Sequence, residues 1–321
     1  MAKMISLDPS SMPTGQIQSV LTAGVAPRPI ALVSTVSHDG KSNLAPFSFF
    51  NAVGSQPPHI VFSPARRVRD GGLKDTYHNL MQTGQCVVHM VNYAMVEQMN
   101  LASGEYDHGV NEFEKSGFTS IESDVVTAKR IKESPFHMEC ELRHMIQLGG
   151  NPGSGNLAIC EVLRFHVSED VYDRKHFHIK NLDHVGRNGG SYYTRSFEKS
   201  MFELEMPRRE IGMGFDQLPA DMLNTTRLQA KHLATLASLS KKPSLDSFTQ
   251  WISASGQKKL SPKQKEKALK EKNYTALLAD ANQRGEFRSS QKYTWIKWAL
   301  EQGCIDHAWM IWMCFERKEK P

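Results

Sequence analysis

The chain has 321 residues, 40% hydrophobic and 23% charged, with a formal net charge of +5. That balance is ordinary for a globular protein, and no run approaches the ~18 consecutive apolar residues of a membrane-spanning helix. Lys and Arg number 25 against 25 Asp and Glu in residues 1–245, but 14 against 9 in 246–321, so the body of the chain is not built to hold nucleic acid.

The N-terminal MAKMISLDPS carries an aspartate and no apolar core, which is not a secretory signal and points to the cytoplasm. The apolar, β-branched run Pro29–Ser37 reads as a strand ending at the hairpin signal His38-Asp39-Gly40. His59–Ser63, Gln85–Asn92, Phe136–Leu148 and Asn156–Val167 continue the strand series. Helices are expected at Leu73–Thr83, Ala94–Ser103, Asn111–Ser116 and Leu228–Leu239, and beyond residue 246 at Pro262–Arg284, Ser290–Gln302 and His307–Phe315. Many short strands with few long helices between them predict a mainly β fold, a barrel with helical decorations, followed by a C-terminal α-helical extension. The five cysteines (86, 140, 160, 304 and 314) are odd in number, widely spaced and without a C-x-x-C, so they read as reduced thiols.

Two stretches carry chemistry. In Ser42–Ser63 (SNLAPFSFFNAVGSQPPHIVFS), polar Asn43, Ser48 and Asn51 sit among Pro46, Phe47, Phe49 and Phe50. A flat aromatic cofactor needs such apolar walls with a few fixed donors and acceptors at its edge. The same residues also suit a barrel strand whose aromatics fill the core. In Pro64–Asn79 (PARRVRDGGLKDTYHN), Arg66, Arg67, Arg69 and Lys74 precede Asp75-Thr76 at an expected helix start. Guanidinium groups, a lysine, a hydroxyl and free helix-start amides together suit a phosphate. Alternatively, Asp75 or Thr76 only caps the helix and the arginines face solvent. Gly149–Gly155 (GGNPGSG) joins strand to strand, so it is a hairpin turn and not a dinucleotide loop. His176 and His178 alternate along KHFHIK without a third ligand, and no metal site is expected.

From Val25 to Asn79 the sequence resembles the flavin reductase-like, FMN-binding split-barrel family, through APRPIALVST, SNLAPFSFFNAV, PPHIVFS and KDTYHN. The likeness continues in VVHMVNYAMVEQMN, in Asn111–Glu114, in ESPFHMECEL and HVGRNGGSYY, and in GFDQLPADMLNT. It implies a six-stranded Greek-key barrel that forms a homodimer, with FMN in a groove near the subunit interface. Carried over by position, Asn43, Leu44, Ala45, Pro46 and Phe47 line the isoalloxazine, and Ser48 and Ser63 serve the ribityl-phosphate region. Arg67, Lys74 and Thr76 bind the phosphate, Asp75 shapes the loop, and Arg66 and Asn79 stand at the margin of the set. Arg187 and Tyr192, in a segment that folds over the cofactor, meet substrate or nicotinamide.

The implied activity is an NAD(P)H-dependent flavin reductase serving a flavin-dependent monooxygenase or another acceptor, the alternative being a flavoredoxin-like electron carrier. FAD shares the flavin ring and first phosphate and stays open beside FMN. The domains expected are 1–205 for the barrel, 206–245 for a family-type segment packing on it, and 246–321 for a basic helical extension. Lys258–Lys272 in that extension reads as a solvated helix face with i,i+4 pairs such as Lys267 with Glu271, and Tyr293, Trp295, Trp298, Trp309 and Trp312 as a small helical core.

Overall fold

The computed structural model describes residues 3–204, 211–244, 246–247, 250–251 and 259–319, and it divides into two compact units, Met1–Phe202 and Glu203–Pro321. No helix among the described residues is long and apolar enough to cross a membrane.

The first unit opens with α1 (Thr14–Gly24) and a short strand β1 (Arg28–Pro29), followed by β2 (Ala31–Val36), β3 (Ser42–Phe47), β4 (Phe50–Ser55) and β5 (Pro58–Phe62). After α2 (Asp75–Thr83) come β6 (Gln85–Met90), α3 (Val96–Ala102), α4 (Glu112–Ser116) and the small strands β7 (Ser120–Ile121) and β8 (Arg130–Ile131). The long strands β9 (Phe136–Gln147) and β10 (Asn156–Val167) are joined by the Gly149–Gly155 turn, and β11 (Val185–Arg187) and β12 (Tyr193–Arg195) complete the unit. The main sheet is antiparallel in the order β3-β2-β6-β9-β10-β5-β4, seven strands where six were expected.

Chain connectivity forces this sheet to curl. Laid flat, seven strands would hold their edges about 29 Å apart, at about 4.8 Å per neighbour. Yet β3 and β4, the two edges, are separated only by Ser48 and Phe49. Three Cα steps reach at most about 11 Å. The edges therefore meet at this corner, where the amide of Ser63 donates to the carbonyl of Phe49 at 2.9 Å. Register shifts at Ile159/Cys160 and Val162/Arg164 bend the β9–β10 hairpin in the same sense of closure.

Strand alternation sorts the side chains into two layers. Ala31, Val33, Phe47, Phe62, Val88 and Cys140 fill the barrel, whereas Ile30, Leu32, Leu44, Met95, Met99 and Phe113 form a second core under α3 and α4. Each such fully buried large side chain contributes about 1.5–3 kcal/mol. Cys86, Cys140, Cys160 and Cys304 are free thiols, and 86, 140, 160 and 314 are buried.

In the second unit, α5 (Ala220–Asn224) and α6 (Ala230–Ala237) precede α7 (Pro262–Lys270), α8 (Tyr274–Arg284), α9 (Ser289–Glu301) and α10 (Ile305–Glu319). Pro262–Arg284 is thus two helices, interrupted at Lys272, whose φ is 51°. Leu218, Met222, Leu233 and Leu236 share one core with Leu277, Trp295, Ile296, Trp309 and Phe315. The expected division at 245/246 therefore runs through a single core, and the one at 205/206 lies outside the described residues. Buried Lys292 ties α5 to α9 and α10 through Asp221 at 2.8 Å and Glu316 at 2.6 Å. Lys267 pairs with Glu271 at 3.8 Å and Lys270 with Glu266 at 2.9 Å, the solvated-face pattern expected of α7.

Candidate functional site

The β3–β4 corner opens on a cavity of about 660 Å³ lined by Pro46, Phe47, Ser48, Ser63, Arg66, Arg67 and Lys74, with Ile17, Gln18 and Leu21 of α1 opposite. A second cavity of about 740 Å³ shares Pro46, Ser48, Lys74 and Glu105 with it and adds Arg28, Arg187, Asn188 and Tyr193. A third, about 120 Å³, again shares Pro46, Lys74 and Glu105 and reaches Asn43, Ala45, Asp75 and Thr76. The shared residues make the three one branched groove.

One end of this groove gathers positive charge. Lys74 occupies the N-cap position of α2 and, among the described residues, no side chain caps that helix, which leaves its first amides open at the positive end of the dipole. Among the described residues, neither Lys74 nor the Arg67 guanidinium forms a salt bridge, and both line the groove. Burial, and then the nearby Arg67 charge, lower the pKa of Lys74, an effect that a bound anion offsets. Thr76 is buried, and its Oγ1 accepts from Asn43 Nδ2 at 3.0 Å, which fixes the hydroxyl and leaves its proton to donate.

Several expected residues serve this end indirectly or stand elsewhere. Asn43 and Asn79 both donate to Thr35 Oγ1, at 3.1 and 3.0 Å, so buried Asn79 braces the network without lining the groove. Asp75 accepts from His108 Nδ1 at 3.0 Å. Arg66 Nη1 donates to the carbonyl of Gly71 at 3.0 Å, which shapes the 66–72 loop, and its buried Nε has no partner among the described residues. Ser63 Oγ accepts from the Asn156 amide at 3.2 Å at the cavity wall. Leu44 does not reach the groove. Its side chain is fully buried under α3 and α4, and its amide donates to Glu112 Oε2 at 3.0 Å. Residues 42–47 are a strand, so the faces alternate and Leu44 points opposite to Asn43 and Ala45. Phe47 turns into the barrel against Phe62, with ring centroids 5.5 Å apart, and Lys74 lies 5.3 Å from its ring.

At the other end, Arg187 stacks on Tyr193, 4.6 Å from the ring centroid, and bonds its hydroxyl. Tyr192 is 77% exposed and lines none of these cavities, so the neighbouring tyrosine takes the position expected of it. Arg28 was not anticipated. It donates to the carbonyl of Thr22 at 2.7 Å and also to that of Val25, capping the C-terminal end of α1, and its Nε reaches Ser48 Oγ at 3.3 Å. Helix α1, also unanticipated, buries none of its own residues and forms the outer wall of the groove.

Two other features are less suited to a nucleotide. An apolar cavity of about 380 Å³ bounded by Phe50, Ile60, Met90, Phe136 and Phe165 has no lysine or arginine in its wall to meet a phosphate. Ligand atoms of Asp124, Glu139 and His166 lie within 4.8 Å of one another, but Arg164 and Arg130 already supply counter-charge there, at 3.1 Å from Asp124 and 3.8 Å from Glu139.

A family model described as "Flavin reductase like domain" matches residues 23–186, just over half of the chain. The chain belongs to the flavin reductase-like family. A solved relative, nitrilotriacetate monooxygenase component B from Bacillus cereus, is 34% identical with a TM-score of 0.60 over 64% of this chain and 100% of its own. The 2-nitrobenzoate 2-nitroreductase NbaA of Pseudomonas fluorescens is 27% identical with a TM-score of 0.58 over 65% of this chain and 100% of its own. An uncharacterized protein of Aquifex aeolicus is 38% identical over 54% of this chain and 86% of its length. The split-barrel fold of the flavin reductase-like family is the fold described above.

Proposed function

We propose that this flavin reductase-like protein binds FMN along the branched groove and catalyses hydride transfer to it from NADH or NADPH. The observation that carries the reading is the convergence of Arg67, Lys74, Thr76 and the uncapped start of α2 at one end of a groove walled by Pro46, Phe47 and Ser48. Arg67 and Lys74 balance a phosphate dianion, while the Thr76 hydroxyl and the first amides of α2 donate to it. Pro46 and the apolar residues Ile17 and Leu21 of α1 give a flat ring two walls and keep water from it. Bound flavin supplies the two-electron chemistry. Arg187 and Tyr193 border the branch left for the nicotinamide donor, and neither is asked to move a proton, since hydride transfer needs no acid or base.

Strand β4 supports a homodimer in this reading. It is a sheet edge exposed along most of its length, with Val53 58% exposed, and an uncovered apolar edge is an aggregation liability that a second copy removes. The Bacillus cereus relative, named as a monooxygenase component, favours a flavin-dependent oxygenase as the acceptor of reduced flavin, in the cytoplasm where the nicotinamide donors are. Anaerobic stopped-flow with NADH and NADPH tests the activity. The flavin's visible band is expected to bleach with at least one donor, and an unbleached band with both defeats the proposal.

A further inference from the structure

Where the three branches of the groove meet, the wall is Pro46, Lys74 and Glu105. An acid at the entrance of an anion site is out of place unless its charge does something. Glu105 is also held there. On one side, the Tyr106 ring packs over Gly104, where an added Cβ would stand 2.9 Å from Cε2, and its hydroxyl donates to the carbonyl of Leu101 at 3.2 Å. On the other side, His108 bonds Asp75 at 3.0 Å. Between these two anchors the Glu105 carboxylate reaches Arg69 at 3.3 Å. Its charge is also felt at Lys74, where it works against the drop in pKa caused by burial and Arg67.

We propose that Glu105 is a specificity-determining residue of the groove: its carboxylate competes with a phosphate for the Arg67–Lys74 end, weakening FMN relative to riboflavin and keeping phosphorylated flavin exchangeable. The inference rests on the groove being a flavin site. A flavin lacking the phosphate does not meet this competition, because repulsion by Glu105 acts on the dianion alone. The carboxylate is 62% exposed, so its effect is modest and screened by salt.

Fluorescence titration of FMN and of riboflavin into the full chain at low and high salt tests this, with Glu105→Gln, Glu105→Asp and the distant exposed control Glu169→Gln. Glu105→Gln is expected to tighten FMN about fivefold at low salt, and less at high salt, while riboflavin changes by under about twofold. Glu105→Asp and Glu169→Gln should stay near wild type. Unchanged FMN affinity in Glu105→Gln, an equal shift for both flavins, or the same gain in Glu169→Gln overturns the role of Glu105 and leaves the flavin site standing. A wild-type chain that binds neither flavin overturns the site itself and the inference with it.

Discussion

The barrel should lose stability steeply below pH 6.5, because two buried histidines are locked in the neutral state. His89 is fully buried, and its Nε2 accepts from the Ile131 amide at 3.0 Å while Nδ1 donates to the carbonyl of Leu32 at 2.8 Å. Its centroid is 5.1 Å from that of His137, whose Nε2 donates to the carbonyl of Ser134 at 2.7 Å and whose buried Nδ1 has no partner among the described residues. Burial, and then the mutual repulsion of the rings, pulls His89 down to about 3, and burial pulls His137 down to about 4. An unfolded chain takes up these protons near pH 6.5, so the stability is complete above that value and is lost as pH falls from there toward the folded values. Each site costs about 1.4 kcal/mol per pH unit in this window, hence about 2 kcal/mol at pH 5 and about 4 kcal/mol for the pair, a large part of a typical domain's stability. All five tryptophans lie at residue 251 or beyond, so their emission follows the second unit alone. Urea titrations read by far-UV circular dichroism beside tryptophan emission therefore separate the two transitions. His89→Gln should reduce the barrel's loss between pH 6.5 and 5 by about half, whatever it costs at neutral pH. A barrel transition that does not move over this range, or an undiminished slope in His89→Gln, refutes the reasoning.

Replacing Lys74 or Arg67 by alanine should weaken FMN by about 1.5–3 kcal/mol, roughly 10- to 150-fold, with little change for riboflavin, since a charge-assisted contact to phosphate is removed. Isothermal titration with both ligands checks this, and an equal loss for the two would place the phosphate elsewhere. Tyr193→Ala should raise KM for the nicotinamide donor in steady-state assays, whereas Tyr192→Ala, at an exposed position, should leave it within about twofold. Lys292→Ala strands Asp221 and Glu316 beside a buried void and should cost the second unit about 2–3 kcal/mol, below the fully buried case because both carboxylates keep some solvent. A shift of the tryptophan transition without a shift of the barrel transition is the expected record.

The strands carried their own evidence in the sequence. PIALVSTVS and the Asn156–Val167 run are β-branched and apolar with turn residues at their ends, and both are strands in the structure. The cationic end of the groove was legible for a similar reason, since Arg67, Lys74 and Thr76 lie within ten residues and meet at a helix start. What failed were relations to the rest of the fold. Setting Asn43, Leu44 and Ala45 together along one ring disregarded the two-residue period of a strand, which turns Leu44 away from Asn43, and nothing in SFF announces that Ser48 and Phe49 carry the chain between the two edges of the sheet. Helix α1 escaped because its apolar stripe is only Ile17, Val20 and Leu21 and none of its residues is buried, and its capping donor, Arg28, lies outside it. The choice of Tyr193 over Tyr192 needed only the direction of one short strand, which adjacent identical residues cannot supply. Glu105 was hidden most completely. An acid in an exposed loop is ordinary surface until the loop's anchors at Gly104 and Asp75 hold it on the cavity wall that Lys74 also lines, and a local pattern holds no information about that placement. Residues that make a site chemically capable can thus be read from neighbouring positions, while those that set its balance come from loops brought in by tertiary contacts, and the exchange of glutamate for glutamine at 105 measures that second class directly.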